Sequence, residues 1–236
     1  MGHVDPNLFQ IEKNIYNAQC IGNVEPIEFM IPYPSMCSLI EGQNIKYSKQ
    51  TIINKPYLTN LDFYKYIQRT ANWLESIGAK PKQPIIIPQL NYPQSEILLY
   101  GIWQIGAVAV INANLDHGEI ENQLNDLMLI SNKTNLFNKI KNFSAEYNPK
   151  YKPNLNEEAL ITFETGNGIK LSHYNLLVNA NSIQKALNIE SRTKIYCNLK
   201  PGSSAWAVFK AILPIYSGCI FDIENPDFSI NTQDGD

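Results

Sequence analysis

Cysteine, histidine, basic charge and long apolar runs are all scarce in this chain, and each scarcity removes a class of function. The four cysteines, Cys20, Cys37, Cys197 and Cys219, lie far apart with no Cys-x-x-Cys pair, so reduced, core-packed thiols are expected rather than disulfides or a metal site. The three histidines, His3, His117 and His173, show no His-x-x-x-His spacing, and no metal is expected. The formal net charge is −3, whereas a nucleic-acid surface carries a basic excess. No apolar run approaches membrane-spanning length, and the amino terminus lacks the charged-then-apolar order of a signal peptide. A cytoplasmic protein with neither nucleic-acid nor membrane partners is the expectation.

What is present reads as a globular α/β chain. Its 236 residues, 44% hydrophobic and 17% charged, are enough to bury a substantial core. Residues 1–50 are poorly patterned, with Pro26, Pro32 and Pro34 breaking any long element. Residues 51–130 alternate amphipathic helices with short apolar strands. Thr59 caps a helix whose stripe is Phe63, Ile67, Ala71 and Leu74, and Gly78 stops it. Ile85 to Ile87 form a strand, Gln94 to Ile105 a helix behind Pro93, and Ala107 to Ile111 a second strand. Glu119 to Ile130 reads as a further helix. This order predicts a doubly wound, mostly parallel sheet flanked by helices.

Residues 131–156, rich in Asn and Lys, read as a solvated linker. A second α/β subdomain follows at 157–223, and 224–236 form a polar tail or linker. Trp73, Trp103 and Trp206 fall on the buried sides of predicted helices and are expected in the core.

Ala159 to Ala180 organises the second half. Ala159 to Phe163 is a buried strand, Glu164 to Gly168 a tight turn with two glycines, and Ser172 opens a helix striped by Leu176, Leu177, Ala180, Ile183 and Leu187. Strand, glycine turn, helix is a geometry that presents backbone N–H groups to an anion. Ser172 and His173 are not expected to act as nucleophile and base, because neighbouring helix residues do not face each other; Ser172 reads as a cap and His173 as a first-turn polar residue. Glu157 and Glu158 read as a solvated turn.

Leu171-Ser172-His173-Tyr174-Asn175-Leu176 resembles the Leu-Ser-His-x-Asn-Leu that follows the phosphate loop of the acyl-adenylate-forming enzymes, the superfamily of acyl-CoA synthetases, luciferases and peptide-synthetase adenylation domains. Thr59 to Gly78, Pro88 to Asn91, Gly101 to Asn112 and Tyr216 to Phe221 resemble further segments of that family in the same order. The loop itself departs from the family. Only Asn167 stands between Thr165-Gly166 and Gly168-Ile169-Lys170, so it is about five residues shorter than the family motif. Lys170 occupies a variable slot, not the family's lysine slot. Glu164 stands where the family has threonine; it either repels a phosphate by like charge or caps the turn. After the strand Lys194 to Asn198, Leu199-Lys200-Pro201-Gly202 occupies the place of a family Pro-(Leu/Met)-x-His whose histidine borders the acyl pocket, and no histidine follows.

The resemblance implies a truncated large-domain portion of the acyl-adenylate-forming fold with a degenerate phosphate loop at Thr165, Gly166, Asn167, Gly168 and Lys170. No catalytic residue and no cofactor are expected, because the family's ribose, magnesium and second-domain lysine groups have no counterpart here. Three readings stay open: a non-catalytic adaptor at the front of a polyketide or mixed peptide–polyketide synthase, with the following domains of the same polypeptide or a carrier protein as partners; an amino-terminal fragment of an ATP-dependent acyl ligase completed by another domain; and a small acyl-group sensor.

Overall fold

The computed structural model describes residues 31–112, 117–163 and 166–231. Cys20, His3, Glu164, Thr165 and the tail beyond 231 lie outside them, as does the side chain of His117. Contacts divide the chain into Met1–Pro32 and Tyr33–Asp236, and the fold below is that of the second unit.

The first helix, α1 (Met36–Tyr47), was not legible in the sequence. Pro32 and Pro34 precede it and bound it; Ser35 caps it, its hydroxyl accepting from Ser38 N at 3.2 Å. Helix α2 (Asn60–Ser76) starts as the sequence predicts, with Thr59 Oγ1 accepting from Asp62 N and the Asp62 carboxylate accepting from Thr59 N. This capping box satisfies two of the donors that open any helix. Helix α3 (Gln94–Gln104) is buried along its whole length, the polar Gln94, Ser95, Glu96 and Gln104 included. Trp103 donates its indole N–H to Ala159 O, and Tyr100 donates its hydroxyl to Ala211 O. Trp73, Trp103 and Trp206 are all buried, as predicted.

The strands form two five-stranded sheets rather than one. In chain order they are β1 (Thr51–Ile53), β2 (Leu58–Thr59), β3 (Pro84–Ile86), β4 (Val108–Asn112), β5 (Met128–Leu129), β6 (Glu158–Phe163), β7 (Ile169–Ser172), β8 (Lys194–Cys197), β9 (Ile220–Phe221) and β10 (Phe228–Ile230). One sheet has the order β5-β3-β4-β6-β7, parallel except for the β6–β7 pair. The other has the order β10-β8-β9-β1-β2, parallel except for β1–β2. Ile86, Val108, Val110, Ile161 and Phe163 build the core on the first sheet, and Ile195 and Cys219 with Leu213 build that on the second. The sheets do not follow the division into 51–130 and 157–223: β1 and β2 join the later strands, and β6 and β7 the earlier ones.

Four further expectations are corrected. The helix expected from Glu119 to Ile130 is only α4 (His117–Glu121). Asp126 turns left-handed at φ 55°, and Met128–Leu129 gives its hydrogen bonds to β3, so the sheet edge outcompetes the helix for the same apolar spacing. The connection at 131–156 is not solvated along its length: α5 (Leu136–Ile140) buries Leu136 and Ile140, and Asn72 and Gln68 of α2 bond to the backbone of residues 144–147. Within the tail, Phe228–Ile230 pairs with β8. After α6 (His173–Ala186), the predicted helix that carries Trp206 is a π-helix at Trp206–Ile212 that continues into α7 (Leu213–Ser217).

Candidate functional site

The glycine turn does not lie against a helix. Gly166 to Gly168 joins β6 to β7 in an antiparallel hairpin, with Thr162 opposite Ile169 and Ile161 opposite Lys170. Gly166 takes φ +89°, a backbone conformation that favours glycine, and a Cβ on Gly168 would crowd the Phe163 ring at 2.9 Å. Strand β7 then carries the chain roughly 10 Å before α6 begins. The helix N-terminus is therefore at the wrong end of β7 to share an anion with the turn.

Both places are also occupied by the chain's own groups. The Gln123 amide donates to Gly166 O at 3.1 Å and accepts from Gly168 N at 3.3 Å. Lys170 Nζ is 2.8 Å from Glu158 Oε1. At the start of α6, His173 N donates to Glu157 O, Tyr174 N to Leu155 O, and Asn175 N to Ser172 Oγ. Ser172 is the cap that the sequence predicts. His173 is not a solvated polar residue: it is 1% exposed, and its Nδ1 accepts from Met36 N at 3.3 Å, joining α6 to α1. Burial holds its pKa down at about 4, against a smaller upward pull from Glu157. Ser172 and His173 serve separate partners and make no catalytic pair. Of the residues named for a degenerate loop, Gly166, Asn167, Gly168 and Lys170 lie on this hairpin and Thr165 falls outside the described residues. Glu157 does not sit in a solvated turn: Tyr151 Oη and Asn154 Nδ2 donate to its carboxylate, and Lys82 lies 3.7 Å away.

A cavity of about 890 Å³ opens elsewhere, past the carboxyl ends of β8 and β9. Open α/β sheets place ligands at that end of their strands, where loops diverge. One wall is Leu199, Lys200 and Pro201; another is the first turn of α3. The π-helix supplies a third through Lys210. Trp206 donates its indole N–H to Glu96 Oε1 at 2.9 Å, and Lys210 donates to Leu199 O at 2.9 Å. Lys210 Nζ also lies 5.1 Å from the Tyr92 ring centre and 5.8 Å from that of Phe221. Glu96 is 4% exposed, and its second oxygen, Oε2, has no partner among the described residues. Burial raises its pKa above the ordinary 4.5, while the Lys210 charge and the Trp206 bond work against the rise. Cys197, also on the wall, is a free thiol raised by burial, which suits packing rather than nucleophilic attack.

Sequence reading missed Glu96 and Lys210. The signal was there: Glu96 shares a face with Tyr100 and Trp103, and Lys210 stands four residues after Trp206 in an otherwise apolar run. Among the described residues no three metal-ligating side chains come together.

Comparisons with known proteins place this geometry. The family model described as AMP-binding enzyme matches residues 45–129. A Mycobacterium tuberculosis fatty acyl CoA synthetase superposes with a TM-score of 0.67 at 15% identity, over 83% of this chain and 44% of its own. A fatty acid AMP ligase from Legionella pneumophila gives 0.64 at 17%, over 84% and 39%. The fold is that of the acyl-adenylate ligases. The anthranilate CoA ligase AuaEII, in complex with anthranoyl-AMP, shares it with a TM-score of 0.66 at 14% identity, over 82% of this chain and 45% of that one. This chain thus spans less than half the length of these three ligases, and corresponds to an amino-terminal portion of their fold. None of the curated proteins matches the sequence. No helix among the described residues is long and apolar enough to cross a membrane.

Proposed function

We propose that this chain is a non-catalytic adaptor domain of the acyl-adenylate-ligase fold, the amino-terminal region of a multidomain polyketide or mixed peptide–polyketide synthase, acting in the cytoplasm without a cofactor. The observation that carries the reading is the closed glycine turn. Gln123 already pairs with Gly166 O and Gly168 N, and the first three N–H groups of α6 are paired too. A nucleotide phosphate binds where free backbone donors converge, and the donors at Gly168 and at the start of α6 are already taken. An intact fold beside a closed turn favours packing or docking as the retained role.

Titration with Mg·ATP and with a non-hydrolysable acyl-adenylate mimic tests this directly. No saturable binding is expected up to millimolar concentration; micromolar affinity would falsify the reading and favour a ligase fragment completed by another domain. The cavity at Glu96 favours a second reading, a small-molecule sensor, since it is built and lined independently of the glycine turn.

A further inference from the structure

We infer that a second cavity, between α1 and the connection ahead of β6, binds a small zwitterion of the ω-amino-acid class, with its ammonium on Glu41 and its carboxylate on Lys152. The cavity holds about 230 Å³ and shares no lining residue with the larger one past β8 and β9. Gln104 closes α3 ahead of β4, and Asn154 precedes β6, so the space lies toward the amino ends of those strands. It depends on neither reading of function given above. Helix α1 and its cap form one wall with Ser35, Cys37, Ser38 and Glu41, and the connection carrying Lys152 forms another. Pro34, Pro149 and Pro153 supply apolar surface between the charged groups.

Two charges are what this lining leaves for a ligand. The hydroxyls of Ser35 and Ser38 bond to each other at 3.3 Å, and Cys37 donates its thiol to Trp103 O at 2.9 Å. Tyr151 and Asn154 both donate to Glu157. Gln104 is 1% exposed and serves as floor rather than as a contact. Glu41 and Lys152, by contrast, form no ion pair with any described residue. Burial is the main cause that raises the Cys37 pKa to about 12; Glu41 adds to the rise and Lys152 opposes it, so both charges lie near that one thiol. Opposite charges that line one space without pairing leave room for a ligand that completes both. A lone cation would be repelled by Lys152 and a lone anion by Glu41, whereas a zwitterion bridges them. Because the two stand on different walls, the ligand's charges belong at opposite ends of its frame, and an α-amino acid carries both on one carbon. The volume falls below the roughly 300 Å³ at which drug-sized sites begin, which limits the frame to a few methylenes packed on the prolines.

The test is a titration of the full chain with 6-aminohexanoate, hexylamine, hexanoate and leucine, followed by calorimetry and by backbone amide resonances. 6-Aminohexanoate is expected to bind and to move the amides of Cys37 and Ser38, with each of the other three about tenfold weaker. Glu41 is half-buried and Lys152 exposed, so Glu41→Gln and Lys152→Gln leave the core intact; each should weaken 6-aminohexanoate about tenfold. Added salt should weaken it as well. Hexylamine or hexanoate binding as tightly as the zwitterion overturns the two-charge assignment, and leucine doing so overturns the ω-amino-acid class. Shifts at Tyr196 and Cys197 instead of Cys37 and Ser38 put the ligand in the larger cavity and overturn this site. Absence of binding by all four probes overturns the inference outright.

Discussion

Burial acts on Glu96 and His173 with opposite sign, and pH is the variable that separates them. His173 is neutral in the fold, with its pKa lowered from 6.5 to about 4. The unfolded chain binds a proton that the folded chain refuses, so this contribution is present above 6.5 and is lost as pH falls toward 4, in all by about 3 kcal/mol. Glu96 runs the other way. Its folded pKa lies above 4.5, so the folded chain holds a proton that the unfolded chain releases, and stability is lost as pH rises past 4.5. Above 4.5, until pH passes the folded pKa of Glu96, the two slopes oppose each other. Glu96→Gln should therefore steepen the rise in stability with pH across that window. His173→Asn, which keeps an acceptor for Met36 N, should leave a stability that falls. Urea midpoints from pH 4 to 7 check both, and curves parallel to that of the native chain would sink the assignment.

Element by element, the sequence was readable where the signal is local. Thr59, Ser172 and the glycines after α2 and α3 mark their boundaries because caps act within a turn. The missed pieces depend on a partner distant in sequence. β5, β7 and β10 have two, four and three residues, too few for a pattern, and each exists because a neighbouring strand takes its hydrogen bonds. A π-helix has the composition of an α-helix and differs only in bonding, so nothing in Trp206–Ile212 announced it. That also hid the cavity, since Lys210 and Trp206 reach Glu96's surroundings only through that backbone. The α2–α3 crossing gives a cleaner test of packing. A Cβ on Gly101 would lie 2.4 Å from Thr70 Cγ2 and 2.8 Å from its Cβ. Gly101→Ala should cost about 2 kcal/mol by overpacking. Adding Thr70→Ala removes the nearer clash and should recover part of the loss, so chemical denaturation of the pair should show sub-additive costs. Full additivity would mean that the two helices do not meet there.

At the scale of the whole chain, the sheets bind early and late segments into one unit. β1 and β2, from residues 51–59, close the sheet that β8, β9 and β10 build from residues 194–230, and β6 and β7 complete the other. The family model stops at residue 129, yet the shared fold runs through more than four-fifths of the chain. The two sheets thus extend through regions that the family model does not match. The unit matches 39% to 45% of three full ligases. If the adaptor reading holds, the domain works beside others on the same polypeptide. An immunoblot of native cells against this domain should then show a band far above the 26.8 kDa of this chain. The next measurement would be crosslinking of its surface to the domain that follows. A band near 26.8 kDa would remove the synthase assignment. A free-standing chain would direct the search to a complementing ligase half, by co-purification, or to the small molecule in the Glu96 cavity.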